Sequence, residues 1–113
     1  MDPLRGEVWE AHLPRHIGSH RVAVLTINTL IPRLSAVAVI TGTEGPRRTH
    51  IPVDSNAGIP VDSKAGLTGY DVSYINATDL HTVGKPQLHK RRGLLSVGEM
   101  ARLEEAVRLY LGL

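Results

Sequence analysis

From Glu7 the chain alternates polar and apolar residues as far as Leu13, the period-two pattern of a strand with one buried face. Pro14, Gly18 and Ser19 break that rhythm, so residues 14–20 read as a loop. Residues 22–27 and 34–41 are near-continuous apolar runs of strand length. Residues 28–35 turn the chain between them, and Pro32 bars a central strand there. Pairing the two runs as antiparallel neighbours puts Arg21, at the start of the first, beside Thr41, at the end of the second. A turn is expected over residues 42–46 and a basic alternating segment over 47–53. Residues 70–77 and 78–83 read as two further strands, the second with polar residues at every other place. Residues 87–92 are basic, and their pattern does not choose between a helical turn and an irregular segment. Ser96 and Glu99 have the spacing of a capping box, which predicts a helix from there to about Tyr110. At helical periodicity Met100, Leu103, Ala106, Val107, Tyr110 and Leu111 share one arc, and Glu99, Arg102, Glu104, Glu105 and Arg108 take the other side. Strands first and one helix last predict an α+β domain, mainly β, built as a small barrel with a C-terminal amphipathic helix.

One segment repeats. Ile-Pro-Val-Asp-Ser-Asn-Ala-Gly at 51–58 is followed at once by Ile-Pro-Val-Asp-Ser-Lys-Ala-Gly at 59–66, the copies differing only at Asn56 and Lys64. Two copies of eight residues fall short of a solenoid, whose units are about 20 residues or longer. The expectation is a local insertion over 51–66 that lengthens a surface hairpin, one copy serving the sheet.

With 113 residues the chain reads as a single domain, 1–113. Its core must be aliphatic, since aromatic residues make up only 4% and there is no Phe. The absence of cysteine excludes disulfides, thiol nucleophiles and Cys-zinc sites, in keeping with a cytoplasmic protein. The charged, proline-containing first residues do not read as a signal peptide, and no apolar stretch approaches a membrane span. Net charge is only +2, but bases gather at 15–21, 47–50 and 85–92. Local basic segments of this kind point to a polyanionic partner.

His12, His16 and His20 recur every fourth residue, but Pro14 and Gly18 bar the helix that would align them, so no metal site is expected. No Gly-x-Ser-x-Gly elbow or comparable hydrolase signature occurs. Metal-free RNA cleavage stays open, because RNA carries its own nucleophile in the 2′-hydroxyl. Arg21 would then neutralise the phosphate with its planar fork of donors, and Thr41 would hydrogen-bond the same oxygens. From spacing alone, a surface arginine and a strand-end threonine remain the plainer account of that pair.

Taken in order, the motifs resemble those of the MazF/PemK (Kid-like) toxins of type II toxin–antitoxin modules. Arg5-Gly6-Glu7-Val8-Trp9 is similar to that family's opening strand, and His20-Arg21-Val22-Ala23-Val24-Leu25 to its Arg-Pro-apolar strand. The run ending at Thr41 resembles the strand that closes on the catalytic threonine, and Thr49-His50-Ile51-Pro52-Val53 the strand after it. Asp79-Leu80-His81-Thr82-Val83 looks like the acidic/amide, apolar, basic, Ser/Thr, apolar segment. Gly93-Leu94-Leu95-Ser96 leading to Glu104-Glu105-Ala106 resembles the closing helix. The resemblance implies an SH3-like barrel with a C-terminal helix, working as a homodimer. It implies a toxin that cleaves single-stranded RNA at specific sequences without a metal or other cofactor, leaving 2′,3′-cyclic phosphate and 5′-hydroxyl ends. It further implies a MazE-like antitoxin as partner. On the same resemblance Arg21 and Thr41 are the catalytic pair, and Ser19, His20, Thr43, Asp79 and His81 are expected to contact RNA.

The chain departs from the family's pattern at three places. Val22 stands where proline is common, His81 stands where Arg or Lys is frequent, and the octapeptide duplication has no counterpart. Two other readings use the same barrel. A non-enzymatic toxin that binds a protein such as DNA gyrase would not need Arg21 and Thr41 together. A general RNA-binding domain would bind with strong salt dependence and leave the strand intact.

Overall fold

The computed structural model describes residues 2–13, 19–43, 58–62 and 72–113. They form β1 (Glu7–His12), β2 (Ser19–Val24), β3 (Ala36–Thr43), β4 (Gly58–Asp62), β5 (Val72–Gly84), β6 (Leu88–Leu94) and the helix α1 (Val97–Leu111). The strands make one sheet in the order β4-β5-β3-β2-β1-β6, every neighbouring pair antiparallel. Among the described residues β4 and β6 are its two edges. The architecture is α+β, mainly β, and is compatible with an SH3-like barrel left open between those edges. The segments 14–18, 44–57 and 63–71, which include the first octapeptide copy apart from Gly58, lie outside the described residues.

The apolar runs of β2 and β3 are continuous because both faces of the sheet are covered. Val22, Val24, Val37 and Val39 join Ala11, Leu13, Ile31 and Val83 in one buried cluster. Their neighbours Ala23 and Ile40 join Val8, Ile75 and Ala77 in a second, beneath Leu103 of α1. Trp9 is half-buried against the first cluster, and its Nε1 donates to Glu7 Oε1 at 3.2 Å. Pro32 sits in a single 3-10 turn (Ile31–Arg33) whose Ile31 is buried, so the β2–β3 connection is pinned to the core.

The N-terminal strand is entered through a tight turn. Glu7 N donates to Leu4 O at 3.1 Å, and Gly6 in its third position has φ +85°, a conformation that glycine adopts without a Cβ penalty. Gly6 N then donates to Val24 O at 2.8 Å and Gly6 O accepts from Leu95 N at 2.9 Å, joining β2 to the start of the helix. Arg5 reinforces the junction by donating to Leu25 O and to Glu104 Oε1, the latter at 2.8 Å.

The capping box forms at α1. Ser96 Oγ accepts from Glu99 N at 3.1 Å, and Glu99 Oε1 accepts from Ser96 N at 2.8 Å. That bond buries Glu99, which helical periodicity alone assigns to the polar side. The apolar arc packs as far as Val107, whereas Tyr110 and Leu111 stay exposed in the last turn. Gly112, at φ +75°, closes the helix in the left-handed region.

Two segments differ from the sequence reading. Residues 88–94 are neither a helical turn nor irregular: a 3-10 turn over Lys85–Gln87 leads into the edge strand β6, held to β1. Its basic residues read as irregular because three successive ones lie exposed at an edge, where no alternation is imposed. The two strands expected over 70–83 are one long strand, β5, interrupted in its pairing with β3. Between Ile40 opposite Leu80 and Gly42 opposite Ile75, β3 advances two residues and β5 five. The extra residues of this bulge lie across from Thr41.

Candidate active site

The bulge is shaped locally by Asn76. Its Oδ1 accepts from Thr78 N at 3.1 Å and from Thr78 Oγ1 at 2.8 Å, an Asx-type loop that diverts the backbone from the ladder. Bulges re-aim side chains, and this one brings Asp79 over Thr41. Thr41, nearly buried at 6% exposure, donates its hydroxyl to Asp79 Oδ2, and the other carboxylate oxygen lies 2.9 Å from His81 Nε2. A carboxylate only accepts, so the imidazole Nε2 is the donor. Thr41, Asp79 and His81 are thus one hydrogen-bonded chain, seated on the face that carries Val37, Val39 and Val83.

Arg21 lies one register step from this chain. Val22 is opposite Thr41 in the β2–β3 pair, and Arg21 is opposite Glu10 in the β1–β2 pair. Strand alternation starts the Arg21 side chain on the face of Ala23, whereas Thr41 shares the face of Val37 and Val39. The rim adjacency expected for the pair holds in the backbone, and the two side chains leave the rim from opposite faces. On its own face Arg21 adds to a basic group centred on Glu10. Arg92 donates to Glu10 through Nε at 2.9 Å and also through Nη2, and Lys90 is the β6 residue opposite Glu10. The hydrogen bond from Arg92, aided by the charges of Arg92, Arg21 and Lys90, holds the Glu10 carboxyl below its ordinary range against the opposing effect of desolvation.

The remaining expected site residues fall on the same strands. Ser19 is opposite His12 and His20 opposite Ala11 on β2, and Thr43 is opposite Tyr74 on β5. His20 alternates with Val22 and so takes the face of Thr41. Of the seven candidates, the structure joins Thr41, Asp79 and His81 by direct hydrogen bonds and sets His20 and Arg21 on the adjoining strand. Sequence reading overlooked Glu10, which partners the basic group from β1, and Asn76 with Thr78, which make the bulge. The Asn-x-Thr spacing was the one available signal for the latter. His12 packs edge-on against His89 with ring centroids 4.3 Å apart, and among the described residues no three His, Asp or Glu side chains gather as a metal-binding group.

A family model described as PemK-like, MazF-like toxin of type II toxin-antitoxin system matches residues 4–111. Among solved structures, the chain is similar to an endoribonuclease in complex with its cognate antitoxin from a mycobacterial species, at 28% identity and TM-score 0.79, covering 98% of this chain and 96% of that one. It shares its fold with Mycobacterium tuberculosis toxin MazF-mt6, at 23% identity and TM-score 0.73, over 95% of this chain and 97% of that one. The same holds for the MazE-MazF structure from Deinococcus radiodurans, at 11% identity and TM-score 0.73, over 100% and 98%. No curated protein matches the chain by sequence.

Proposed function

The chain belongs to the PemK-like, MazF-like toxins of type II toxin–antitoxin systems, and on that premise we propose that it is an endoribonuclease that cuts single-stranded mRNA in the cytoplasm. The observation that carries the reading is the likeness, over nearly all of both chains, to an endoribonuclease bound to its antitoxin. The layout of the rim supports it. A phosphodiester there would meet the Thr41 hydroxyl on one side and the Arg21 guanidinium on the other, with the exposed bases of β6 as a further source of positive charge.

In this reading the RNA supplies the nucleophile. Its 2′-oxygen attacks the adjacent phosphorus, and the 5′-oxygen leaves, giving a 2′,3′-cyclic phosphate and a 5′-hydroxyl without a metal or cofactor. Arg21 offsets the charge that builds on the phosphate oxygens, with donors fixed in a plane that matches them. Thr41, from the other face of the rim, donates to the phosphodiester once the RNA draws its hydroxyl from Asp79. Ser19, His20 and Thr43, on β2 and β3, are the further residues expected to contact the RNA. The protein acts as a homodimer, and an antitoxin with an acidic, disordered segment covers the basic surface.

The test is incubation of the purified protein with a long single-stranded RNA in EDTA, beside Arg21→Ala, with fragment ends mapped. Discrete cuts bearing 5′-hydroxyl ends, reduced about 100-fold or more in the variant while RNA binding persists, are the expected result. Intact RNA from the folded protein would turn the assignment toward a non-enzymatic toxin.

A further inference from the structure

The face of the sheet that carries Thr41 is short of positive charge. Arg21 leaves the rim on the opposite face, and the strands place Glu7, His20, Asp79 and His81 on the face of Thr41. Among the described strand residues one lysine or arginine shares that face, Arg91 of β6. Its position follows from an irregularity of register. Val8 is opposite Gly93 and Trp9 is opposite Arg91, so Arg92 is an extra residue in β6. That bulge reverses the alternation. Arg92 turns to Glu10, Lys90 is opposite Glu10, and Arg91 comes to the other side with Trp9. Trp9 is opposite Val22, and Val22 is opposite Thr41. One cross-strand row therefore joins Arg91 to Thr41 over three strand spacings, about 14 Å along the sheet.

We propose that Arg91 binds a backbone phosphate of the RNA other than the one that is cut, and that Glu7 is the positioning residue that aims it. The proposal deepens the RNA-cleaving reading above and rests on it. The Glu7 side chain is only 10% exposed, and its carboxylate accepts from Leu4 N at 2.6 Å, Trp9 Nε1 at 3.2 Å and Arg91 Nε at 2.5 Å. Arg91 meets Glu7 through Nε, and half of its side chain is exposed. Among the described residues its two Nη groups have no acceptor. Held at Nε, the guanidinium keeps its Nη1–Nη2 edge for a phosphate, as two donors fixed in one plane. The buried carboxylate has already restricted the long side chain, so RNA binding has less rotamer freedom to remove. The row that ends on Thr41 favours RNA over an acidic peptide as the occupant, because a strand gripped at Thr41 carries further phosphates along its backbone.

The test measures kcat and KM for cleavage of a single-stranded RNA in EDTA, at salt concentrations between about 50 and 200 mM, with each protein held below its own melting transition. The variants are Arg91→Gln, Arg91→Lys, Glu7→Gln and, as a control with the same loss of charge, Arg102→Gln on the exposed side of α1. Arg91→Gln should raise KM about 10-fold with kcat unchanged, the loss of a hydrogen bond to a charged group in binding alone. Its plot of log kcat/KM against log salt should be shallower by about 0.7, the value for one phosphate of a single strand. Arg91→Lys should restore most of that slope, and Arg102→Gln should keep the wild-type slope. Glu7→Gln separates aim from charge. Net charge alone would make this variant bind RNA more tightly, but a glutamine has one acceptor oxygen for the three donors, so Arg91 loses its hold and KM should rise.

A wild-type KM and slope in Arg91→Gln, or an equal change in Arg102→Gln, overturns the proposal while cleavage stands, and leaves the guanidinium to an acidic peptide partner. A lower KM in Glu7→Gln overturns the positioning role. A wild type that leaves the RNA intact overturns the cleavage reading itself.

Discussion

Thr41 donates its single hydroxyl proton to Asp79, although the two residues lie 38 positions apart in the chain. A threonine has one proton to give, so binding a phosphate at Thr41 means exchanging the carboxylate for the phosphate as its acceptor. The pair therefore links RNA binding to the placement of Asp79 and His81.

Replacing Thr41 by Val keeps the volume and removes the donor. Asp79 loses a partner at a nearly buried position, and a hydrogen bond to a charged group is worth about 1.5–3 kcal/mol. The half-exposed carboxylate recovers part of that from water, so a loss of about 1 kcal/mol is expected in urea unfolding, together with a cleavage defect that Thr41→Ser largely restores. A Thr41→Val protein that cuts RNA at the wild-type rate would remove the hydroxyl from the mechanism.

Glu10 gives a prediction about pH. Its folded-state carboxyl is held below the ordinary range, chiefly by Arg92, so the native protein binds fewer protons there than the unfolded chain. The resulting stabilisation is complete above the unfolded carboxylate value of about 4.3 and is lost as pH falls through the lower folded value. Urea midpoints between neutral pH and about pH 3 should fall less steeply for Glu10→Gln than for the wild type. Parallel slopes would show that the Arg92 contact adds nothing to the acid limb.

The cap of α1 carries a measurable share of stability. Ser96→Ala removes the acceptor for Glu99 N and leaves the buried Glu99 with only half of the reciprocal pair. A loss of about 1 kcal/mol is expected, within the range for such caps. Ser96→Asp should recover most of it, and equal melting temperatures for wild type and Ser96→Ala would show that the box contributes little.

The duplicated octapeptide makes an unusual deletion pair. β4 begins at Gly58, the end of the first copy, and takes residues 59–62 from the second to pair with β5. Pro60 is tolerated because β4 is an edge strand. Deleting 51–58 or 59–66 leaves the same Ile-Pro-Val-Asp before Leu67, the two products differing only by Lys or Asn at one place. Both are expected to fold with melting temperatures within a few degrees of each other, since loop length changes stability only slowly. A marked difference between them would assign a structural role to Lys64 or Asn56.

Much of the fold could be read locally. β1 is announced by its alternation, the β2–β3 pair by two apolar runs around Pro32, and α1 by Ser96 and Glu99 followed by a periodic apolar arc. Those signals are strong because each element meets its own burial and hydrogen-bonding needs with residues close in sequence. β6 was not legible, since a run of exposed bases at a sheet edge has no period; its strand character comes from pairing with β1, about 80 residues away. The candidate site was legible in part. The identities of Arg21, Thr41, Asp79 and His81 stand out by resemblance, but their arrangement does not follow from order along the chain.

The sequence by itself determined the elements, the aliphatic core and the residue types available for phosphate and proton chemistry, because propensity, periodicity and capping act over a few residues. Tertiary structure alone decided which of those residues meet. The bulge of β5 against β3 put Asp79 on Thr41 and His81 on Asp79, while alternation in β2 sent Arg21 toward Glu10. Register between strands distant in sequence is set by the packing of both sheet faces together, and no single segment contains that information.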